Sequence, residues 1–302
     1  MDIRAVVMQI LMVLLIVAVG AWLRKRQVMS DTVIKGINQV LLRVALPALI
    51  VMTTQRDFDE QTIRGFLRVL LMAAILLSLS SILIFCLTKT MPRPRRSVFM
   101  AVSCLPNVGF IGIPIVRAAY GEVGVLYLAG YIMAFNILLF TLHMMLFSGD
   151  GRFSVKGLMS TGTLSIVASI LLLLLRIRLP EPLSSFGNQL AALTTPLSTL
   201  MLGARLIESL SWQKLRNTTL WGAVGMRLIL FPLLVYAVLS LIGVGGMELG
   251  VMVICSALPA ASAIQMLAEK YDSDIQLAAQ GISLSLLLCV LTVPSLMALL
   301  GF

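Results

Sequence analysis

The stretch SVFMAVSCLPNVGFIGIPIVRAAY, Ser97–Tyr120, decides the fold of this chain. It is apolar and long enough to cross a bilayer as one helix, which takes about 20 residues. Its middle nevertheless opposes a helix, because Pro106 and Pro114 lack an N–H and each proline ring clashes with the preceding turn. The stretch is therefore predicted to enter the membrane as a helix and to break near its centre.

Small and polar residues fill the gap between these two prolines. Gly109 and Gly112 give the backbone additional freedom, and Asn107 is a good helix cap but a poor interior residue. Lipid excludes irregular backbone because nothing there satisfies its polar groups, whereas protein or a water-filled cavity tolerates it. The break is therefore predicted to be a binding site.

A second interrupted stretch lies far downstream, at Gly250–Lys270, GVMVICSALPAASAIQMLAEK. It is again of membrane-spanning length, and it is broken near its middle at Pro259, with Ser256 and Ser262 on either side. Interrupted spans at corresponding places in two halves of a chain indicate the binding site of a transporter. We therefore expect both breaks to contribute to one site.

Composition identifies the class of protein. The chain has 302 residues, of which 59% are hydrophobic and 12% charged, whereas a soluble domain carries about 25% charged residues. The formal net charge of +10 comes from short basic loops, which set membrane orientation, so no nucleic-acid partner is expected. The four cysteines lie in apolar spans without a C-x-x-C pair, so no disulfide framework, metal site or cofactor is predicted.

Apolar segments bounded by charges or turn residues predict an all-α membrane protein with ten spans. The predicted spans are Ala5–Leu23, Thr32–Met52, Ile63–Thr88, Ser97–Ala119, Val123–Phe147, Val155–Leu175, Leu183–Ile207, Leu215–Ile242, Leu249–Lys270 and Ile275–Leu300.

The two halves of the chain resemble each other. Span two carries GINQVLLRVALPAL with Pro47, span seven carries GNQLAALTTPLSTL with Pro196, and spans four and nine are the broken pair. A repeat of five spans is odd, so the second copy enters from the opposite side, and substrates bind where such inverted repeats meet. We predict a single transporter domain, 1–302, with repeats 1–149 and 150–302.

Basic residues predict the orientation. Fourteen of the 23 Lys and Arg residues lie at the loops after the odd-numbered spans, and six lie on the other side. Because the basic-rich side is cytoplasmic, both termini are predicted to face outward from a cell membrane crossed many times.

The charged groups inside the spans suggest what the site binds. All 13 Asp and Glu residues lie at span ends or in loops, so no intramembrane carboxylate is available as a proton or ion ligand. Arg43, near the middle of span two, is either an anion-attracting group or a structural one, whereas Arg227 and Arg68 are more typical of structural partners. Asn136 and His143, one helical repeat apart in span five, are expected on one face, with His143 a packing residue.

Each break should create one half-helix N-terminus, with unpaired N–H groups and about half a positive charge, which binds carboxylates or phosphates. Two breaks that cross would direct two such ends into one cavity, so an anion is predicted as the ligand. Two merely kinked helices remain the alternative. The carbonyls of the opposite, C-terminal ends would suit sodium, so ion coupling also remains open.

Three motifs resemble the auxin efflux carrier family, which includes plant auxin exporters and bacterial carriers of malonate-like acids. They are LPNVGFIGIPIVRAAYGE (Leu105–Glu122), GINQVLLRVALPAL (Gly36–Leu49) and ALPAASAIQMLAEKYDSDIQLAAQGISLSLLLCVLTVPSLMAL (Ala257–Leu299). The resemblance implies a fold like that of the bile acid/sodium symporters, with a crossover of spans four and nine. It also implies a scaffold from spans at about 5–52 and 155–207, a moving transport domain from spans at about 63–147 and 215–300, and a homodimer.

The same resemblance implies roles for particular residues. Asn107 would contact the substrate carboxylate, and Pro259 together with either Pro106 or Pro114 would shape the crossover. Val44, Leu46 and Asn136 are further substrate-side candidates. The complete predicted substrate site comprises Asn107, Pro106, Gly109, Gly112, Pro114, Ser256, Pro259, Ser262, Asn136 and Arg43.

The predicted function is a carrier, not an enzyme, that moves a small organic anion out of the cell by elevator-type alternating access. A potential of about 100 mV, negative inside, favours expulsion of one negative charge by about 2.3 kcal/mol, which sustains a roughly fiftyfold gradient without a coupling ion. A sodium- or proton-coupled symporter is the first alternative. A membrane sensor that binds a metabolite without turnover is the second. The expected partners are the anion, the lipid bilayer and a second copy of the chain.

Overall fold

The computed structural model describes residues 3–55, 59–149, 161–209 and 217–302, and within these ranges the chain is helical with no sheet. The α-helices are Ile3–Lys25, Asp31–Val40, Leu46–Thr53, Glu60–Leu87, Arg93–Cys104, Ile113–Leu138, Met144–Ser148, Thr161–Leu174, Glu181–Ala192, Thr194–Ser209, Thr218–Gly225, Phe231–Leu241, Gly246–Ala257, Ala263–Lys270 and Ile275–Leu299. Wider, π-helical turns lie at Leu41–Ala45, Val108–Gly112, Leu139–His143 and Met226–Leu230.

Several of these segments suit a membrane. In the described ranges, five continuous helical segments are long and apolar enough to cross one, namely Asp31–Thr53, Glu60–Leu87, Val108–Ser148, Thr218–Leu241 and Ile275–Leu299. The predicted all-helical, multi-pass membrane protein is thereby confirmed. The starts of the sixth and eighth predicted spans, Val155 and Leu215, lie outside the described residues.

One of the five segments joins the second half of the fourth predicted span to the fifth. Val108–Ser148 has 41 residues, far more than one crossing needs, and it is interrupted at Gly121. The φ of Gly121 is +63° and its ψ is −153°, a conformation that residues with a Cβ rarely adopt. The kink separates the end of the fourth predicted span from the start of the fifth, where Arg117 and Glu122 form an ion pair at 3.1 Å.

Prolines explain most of the π-helical turns. Pro47, Pro114 and Pro232 each lie two residues after the end of such a turn. A proline ring clashes with the carbonyl four residues earlier and cannot donate to it, and in each case that carbonyl lies inside the π-helical turn. The wider turn is therefore the expected response of the helix to the following proline.

Glycines let two helices approach closely. Ile3–Lys25 packs along Thr194–Ser209, and a Cβ on Gly20 would lie 2.1 Å from the backbone oxygen of Leu200. Small residues drive helix association in lipid, where the hydrophobic effect between helices is absent.

The two broken segments lie in the core of the protein. Val98 to Cys104 and Val251 to Ala257 are almost completely buried, on all sides of their helices. Such helices are surrounded by protein rather than lipid, which is the condition that irregular backbone inside a membrane requires.

Candidate functional site

The two interruptions contact each other directly. The first lies at residues 105–107, after the Arg93–Cys104 helix, and the second lies at residues 258–262, after the Gly246–Ala257 helix. Asn107 N–H donates to the Pro259 carbonyl at 2.8 Å, and Ala261 N–H donates to the Leu105 carbonyl at 2.9 Å. These two hydrogen bonds form an antiparallel bridge, and we call the two segments the paired breaks.

A third helix supports the paired breaks. The Ser285 hydroxyl, on the Ile275–Leu299 helix, accepts a hydrogen bond from Ala260 N–H at 3.0 Å and donates to the Ile282 carbonyl. Ser285 is fully buried, so this contact satisfies a backbone donor that water does not reach. The predicted tenth span therefore holds the second break in position.

The first break leaves two backbone donors open. Ile111 and Gly112 N–H both donate to the Asn107 carbonyl, and Val108 N–H donates to the Pro106 carbonyl. Gly109 and Phe110 N–H have no acceptor among the described residues. Unpaired donors at a helix start carry the positive end of the helix dipole.

The second break also leaves two backbone donors open. Ile264 N–H donates to the Ala261 carbonyl and Gln265 N–H donates to the Ser262 carbonyl. Ser262 and Ala263 N–H have no acceptor in the described part of the chain. We call the donors of Gly109, Phe110, Ser262 and Ala263 the open N–H groups.

A cavity of about 330 Å³ lies beside the paired breaks, and all four residues that carry open N–H groups line it. This central cavity is lined by Leu42, Arg43, Leu46, Pro106, Asn107, Val108, Gly109, Phe110, Ile132, Phe135, Asn136, Leu139, Phe140, Thr161, Ala261, Ser262, Ala263 and Met266. None of these lining residues is acidic. Three of the π-helical turns contribute to the wall, and such turns are frequent at functional sites.

Two asparagine side chains complete the polar part of the wall. Asn107 is 4% exposed and Asn136 is 9% exposed. Neither amide has a hydrogen-bond partner among the described residues. Both residues line the cavity, so their amides are available to bind a ligand that enters it.

Arg43 adds a positive charge to the wall. It lies in the π-helical turn Leu41–Ala45, it is exposed, and it forms no ion pair with a described residue. Because no acid lines the cavity in the described part of the chain, this charge is not neutralised there. The electrostatics of the site therefore favour an anion.

Six of the predicted site residues line the central cavity, namely Pro106, Asn107, Gly109, Ser262, Asn136 and Arg43. The other four do not. Gly112 packs against Leu258, Pro114 begins the helix after the first break, and the Pro259 carbonyl bonds to Asn107. The Ser256 hydroxyl donates to the Val253 carbonyl at 2.7 Å. These four residues shape the breaks rather than the cavity wall.

The expectation that His143 shares a face with Asn136 is wrong. His143 is fully buried and its Nε2 lies 3.1 Å from the Ser81 hydroxyl, away from the cavity. The π-helical turn Leu139–His143 adds a residue to the helix after Asn136, which rotates the following residues by about 100°. His143 is a packing residue, as expected.

Sequence patterns did not indicate the apolar half of the wall. Ile132, Phe135, Leu139 and Phe140 face Asn136 in one cavity, but single apolar residues carry no signal in an apolar span. Leu46 lines the cavity and Val44 does not.

Two further pockets adjoin the central cavity. A neck of about 40 Å³ follows it and shares Leu42, Phe110, Ser262, Ala263 and Met266 with it. The neck shares Arg205 and Ser262 with a vestibule of about 380 Å³. Lys35, Asp31 and Glu269 also line this vestibule. A ligand could therefore reach the central cavity from the end that carries these charged residues, through a narrow neck whose wall includes Asn38, Arg205 and Ser262.

Arg68 has a structural partner, as the sequence suggested. It forms an ion pair with Glu248 at 3.3 Å, which links the third predicted span to the start of the ninth.

Two broken helices that face one another beside a cavity are typical of membrane transporters. A family model described as "Membrane transport protein" matches residues 5–156 and 151–297, nearly the whole chain. The chain therefore belongs to this family of transporters, the auxin efflux carrier family.

Two curated relatives are similar over almost their full length. An uncharacterized transporter of Methanocaldococcus jannaschii is 27% identical over 290 residues, which cover 90% of this chain and 92% of the relative. An uncharacterized transporter of Methanothermobacter thermautotrophicus is 22% identical over 291 residues, or 94% and 95% of the two chains. Both names agree with a transporter rather than an enzyme, and neither names a substrate.

Proposed function

We propose that the protein is a secondary carrier of a small organic anion, which it exports by elevator-type alternating access. The central cavity is the observation that carries this proposal. Open N–H groups, two unpartnered asparagine amides and Arg43 converge on it, and none of its described lining residues is acidic. Hydrogen-bond donors and a positive charge without a counter-ion recognise a carboxylate.

The size and polarity of the cavity suggest the kind of anion. About 330 Å³ is at the lower end of the range for small-molecule sites. The carboxylate would lie at the paired breaks, with Asn107 and the open N–H groups around it. The remainder of the ligand would contact Ile132, Phe135 and Phe140, so a short carboxylate with an apolar or weakly polar body fits best.

We further propose ten spans in two inverted repeats, with a scaffold and a moving transport domain. The antiparallel contact between two breaks in corresponding halves supports the repeats. The cavity lies between Leu42–Leu46 of the predicted scaffold and the paired breaks of the predicted transport domain, which is where a sliding movement would carry the ligand across. A homodimer of scaffolds would hold the fixed part in the membrane.

The proposed direction follows from charge. If both termini lie outside, as we propose, the neck and vestibule open toward the cytoplasm, and we interpret the cavity as that of an inward-open state. A potential of about 100 mV, negative inside, then drives one negative charge outward with about 2.3 kcal/mol.

A binding screen followed by a flux assay tests the proposal. Purified protein is heated with mono-, di- and tricarboxylates, and a ligand that binds the folded form raises the melting temperature. The stabilising anion is then loaded into proteoliposomes, where imposed potential should drive its flux. Stabilisation without flux would indicate a sensor. A screen in which no carboxylate stabilises the protein would contradict the proposal.

A further inference from the structure

The paired breaks also have two C-terminal ends, and these meet at Arg227. The Arg93–Cys104 and Gly246–Ala257 helices both end there, and the last carbonyls of a helix carry about half a negative charge. Arg227 Nη1 donates to the Cys104 carbonyl at 2.8 Å, and its Nη2 donates to the Ser256 carbonyl. One guanidinium therefore caps both helices.

Arg227 is enclosed at this position. It is 0% exposed, and its guanidinium carbon lies 4.7 Å from the centre of the Phe231 ring, a cation–π distance. It forms no ion pair with an acid in the described residues. The negative ends of the two helices together carry about one charge, so they are the counter-ion that a buried arginine requires.

This position has a particular meaning in a carrier with broken helices. Backbone carbonyls at the C-terminal ends of half-helices are the groups that coordinate a coupling cation such as sodium. Here the carbonyls of Cys104 and Ser256 are occupied by a side chain that is always protonated. A sodium ion would have to displace a covalently held, fully buried guanidinium.

We propose that Arg227 is a built-in cation that takes the place of a coupling ion, so that anion transport needs no sodium. This inference rests on the proposed function and specifies its energetics. Because Arg227 moves out and back with the paired breaks, it contributes no net charge to a complete cycle. Each turnover then carries only the charge of the anion, and the membrane potential alone sets the direction.

The first experiment uses the wild-type protein in proteoliposomes with the anion selected by the thermal screen. One coupled sodium ion would change the accumulation ratio of the anion about tenfold for a tenfold sodium gradient. We expect no change when sodium replaces choline at equal ionic strength, and a roughly fiftyfold change for about 100 mV of potassium-diffusion potential. Accumulation that follows the sodium gradient would overturn the inference and leave the carrier proposal intact.

The second experiment needs no substrate and uses guanidinium ion as the probe. Arg227→Gly removes the side chain and leaves its space and both carbonyls, so the melting temperature should fall in choline chloride and recover in dilute guanidinium chloride. Arg227→Lys, which keeps a positive charge, should lie between the wild type and the glycine variant.

Arg68→Gly is the matched control, because Arg68 is also a span arginine but is exposed and paired with Glu248. Its melting temperature should not rise with guanidinium. Rescue of both glycine variants, or a folded Arg227→Gly that guanidinium does not stabilise, would overturn the assignment. If Arg227→Gly does not fold even with guanidinium present, the wild-type sodium experiment decides.

The two proposals fail in different ways. Guanidinium rescue without binding of any carboxylate would contradict the proposed function and support the cation position of Arg227. Carboxylate flux that depends on sodium would support the proposed function and contradict the role of Arg227 as a substitute for the coupling ion.

Discussion

Asn107→Ala should abolish most anion binding and leave the fold intact. The side chain faces the central cavity and makes no hydrogen bond to a described residue, so its loss removes no contact within the described protein. The bridge between the breaks uses the backbone of Asn107, which alanine keeps. This variant should therefore bind the anion more weakly while its free energy of unfolding stays nearly unchanged.

The magnitude follows from one hydrogen bond to a charged group, which contributes about 1.5–3 kcal/mol. At about 1.4 kcal/mol per tenfold, the dissociation constant should rise roughly ten- to a hundredfold. Asn107→Asp should do more, because two like charges about 4 Å apart repel by about 4 kcal/mol at an effective dielectric constant near 20. The free energy of unfolding of the alanine variant should change by less than about 0.5 kcal/mol.

Isothermal titration of the purified variants with the anion from the screen measures the dissociation constant, and thermal unfolding without ligand measures stability. Ser256→Ala is the matched control, since Ser256 is a polar residue of the second broken segment whose hydroxyl bonds to Val253 outside the cavity. Its dissociation constant should stay within about twofold of the wild type. Wild-type affinity in Asn107→Ala, or an equal loss in Ser256→Ala, would refute the reasoning.

Three further substitutions test other contacts. Arg43→Gln should weaken anion binding about tenfold at low salt and less at high salt, because the unpaired charge is lost; titration at two salt concentrations checks this. Gly203→Ala should lower stability by about 1–3 kcal/mol, because its Cβ would lie 1.9 Å from the backbone oxygen of Val17; thermal unfolding measures the loss. Ser285→Ala should cost about 1–3 kcal/mol in the same assay, because Ala260 N–H would lose its acceptor; an unchanged melting temperature would contradict the contact.

The breaks could be predicted from the sequence because their causes are local. Pro106 and Pro259 lie in the breaks and remove a backbone donor there, and a polar residue such as Asn107 in an apolar span points to a cavity. Pro114 was also predicted to break its span, but the helix continues through it by way of the π-helical turn Val108–Gly112. These signals identified the stretches that contact each other and most of the polar cavity wall.

Other features depend on contacts that no local pattern encodes. The acceptors of Arg227 are backbone carbonyls from two distant helices, and backbone groups have no sequence signature. Ser256 lies in the broken segment, but its hydroxyl bonds to the Val253 carbonyl of its own helix and does not reach the cavity. Which face of a helix borders a cavity depends on packing. The π-helical turn at Leu139–His143 has no following proline, so the rotation of His143 away from Asn136 had no visible cause.

A structure of the protein with its anion bound tests the central claim most directly. The proposal predicts a carboxylate in the central cavity with its oxygens about 2.7–3.2 Å from at least one open N–H group of each break and from the Asn107 amide. A carboxylate bound elsewhere, or a cation found at the open N–H groups, would contradict it.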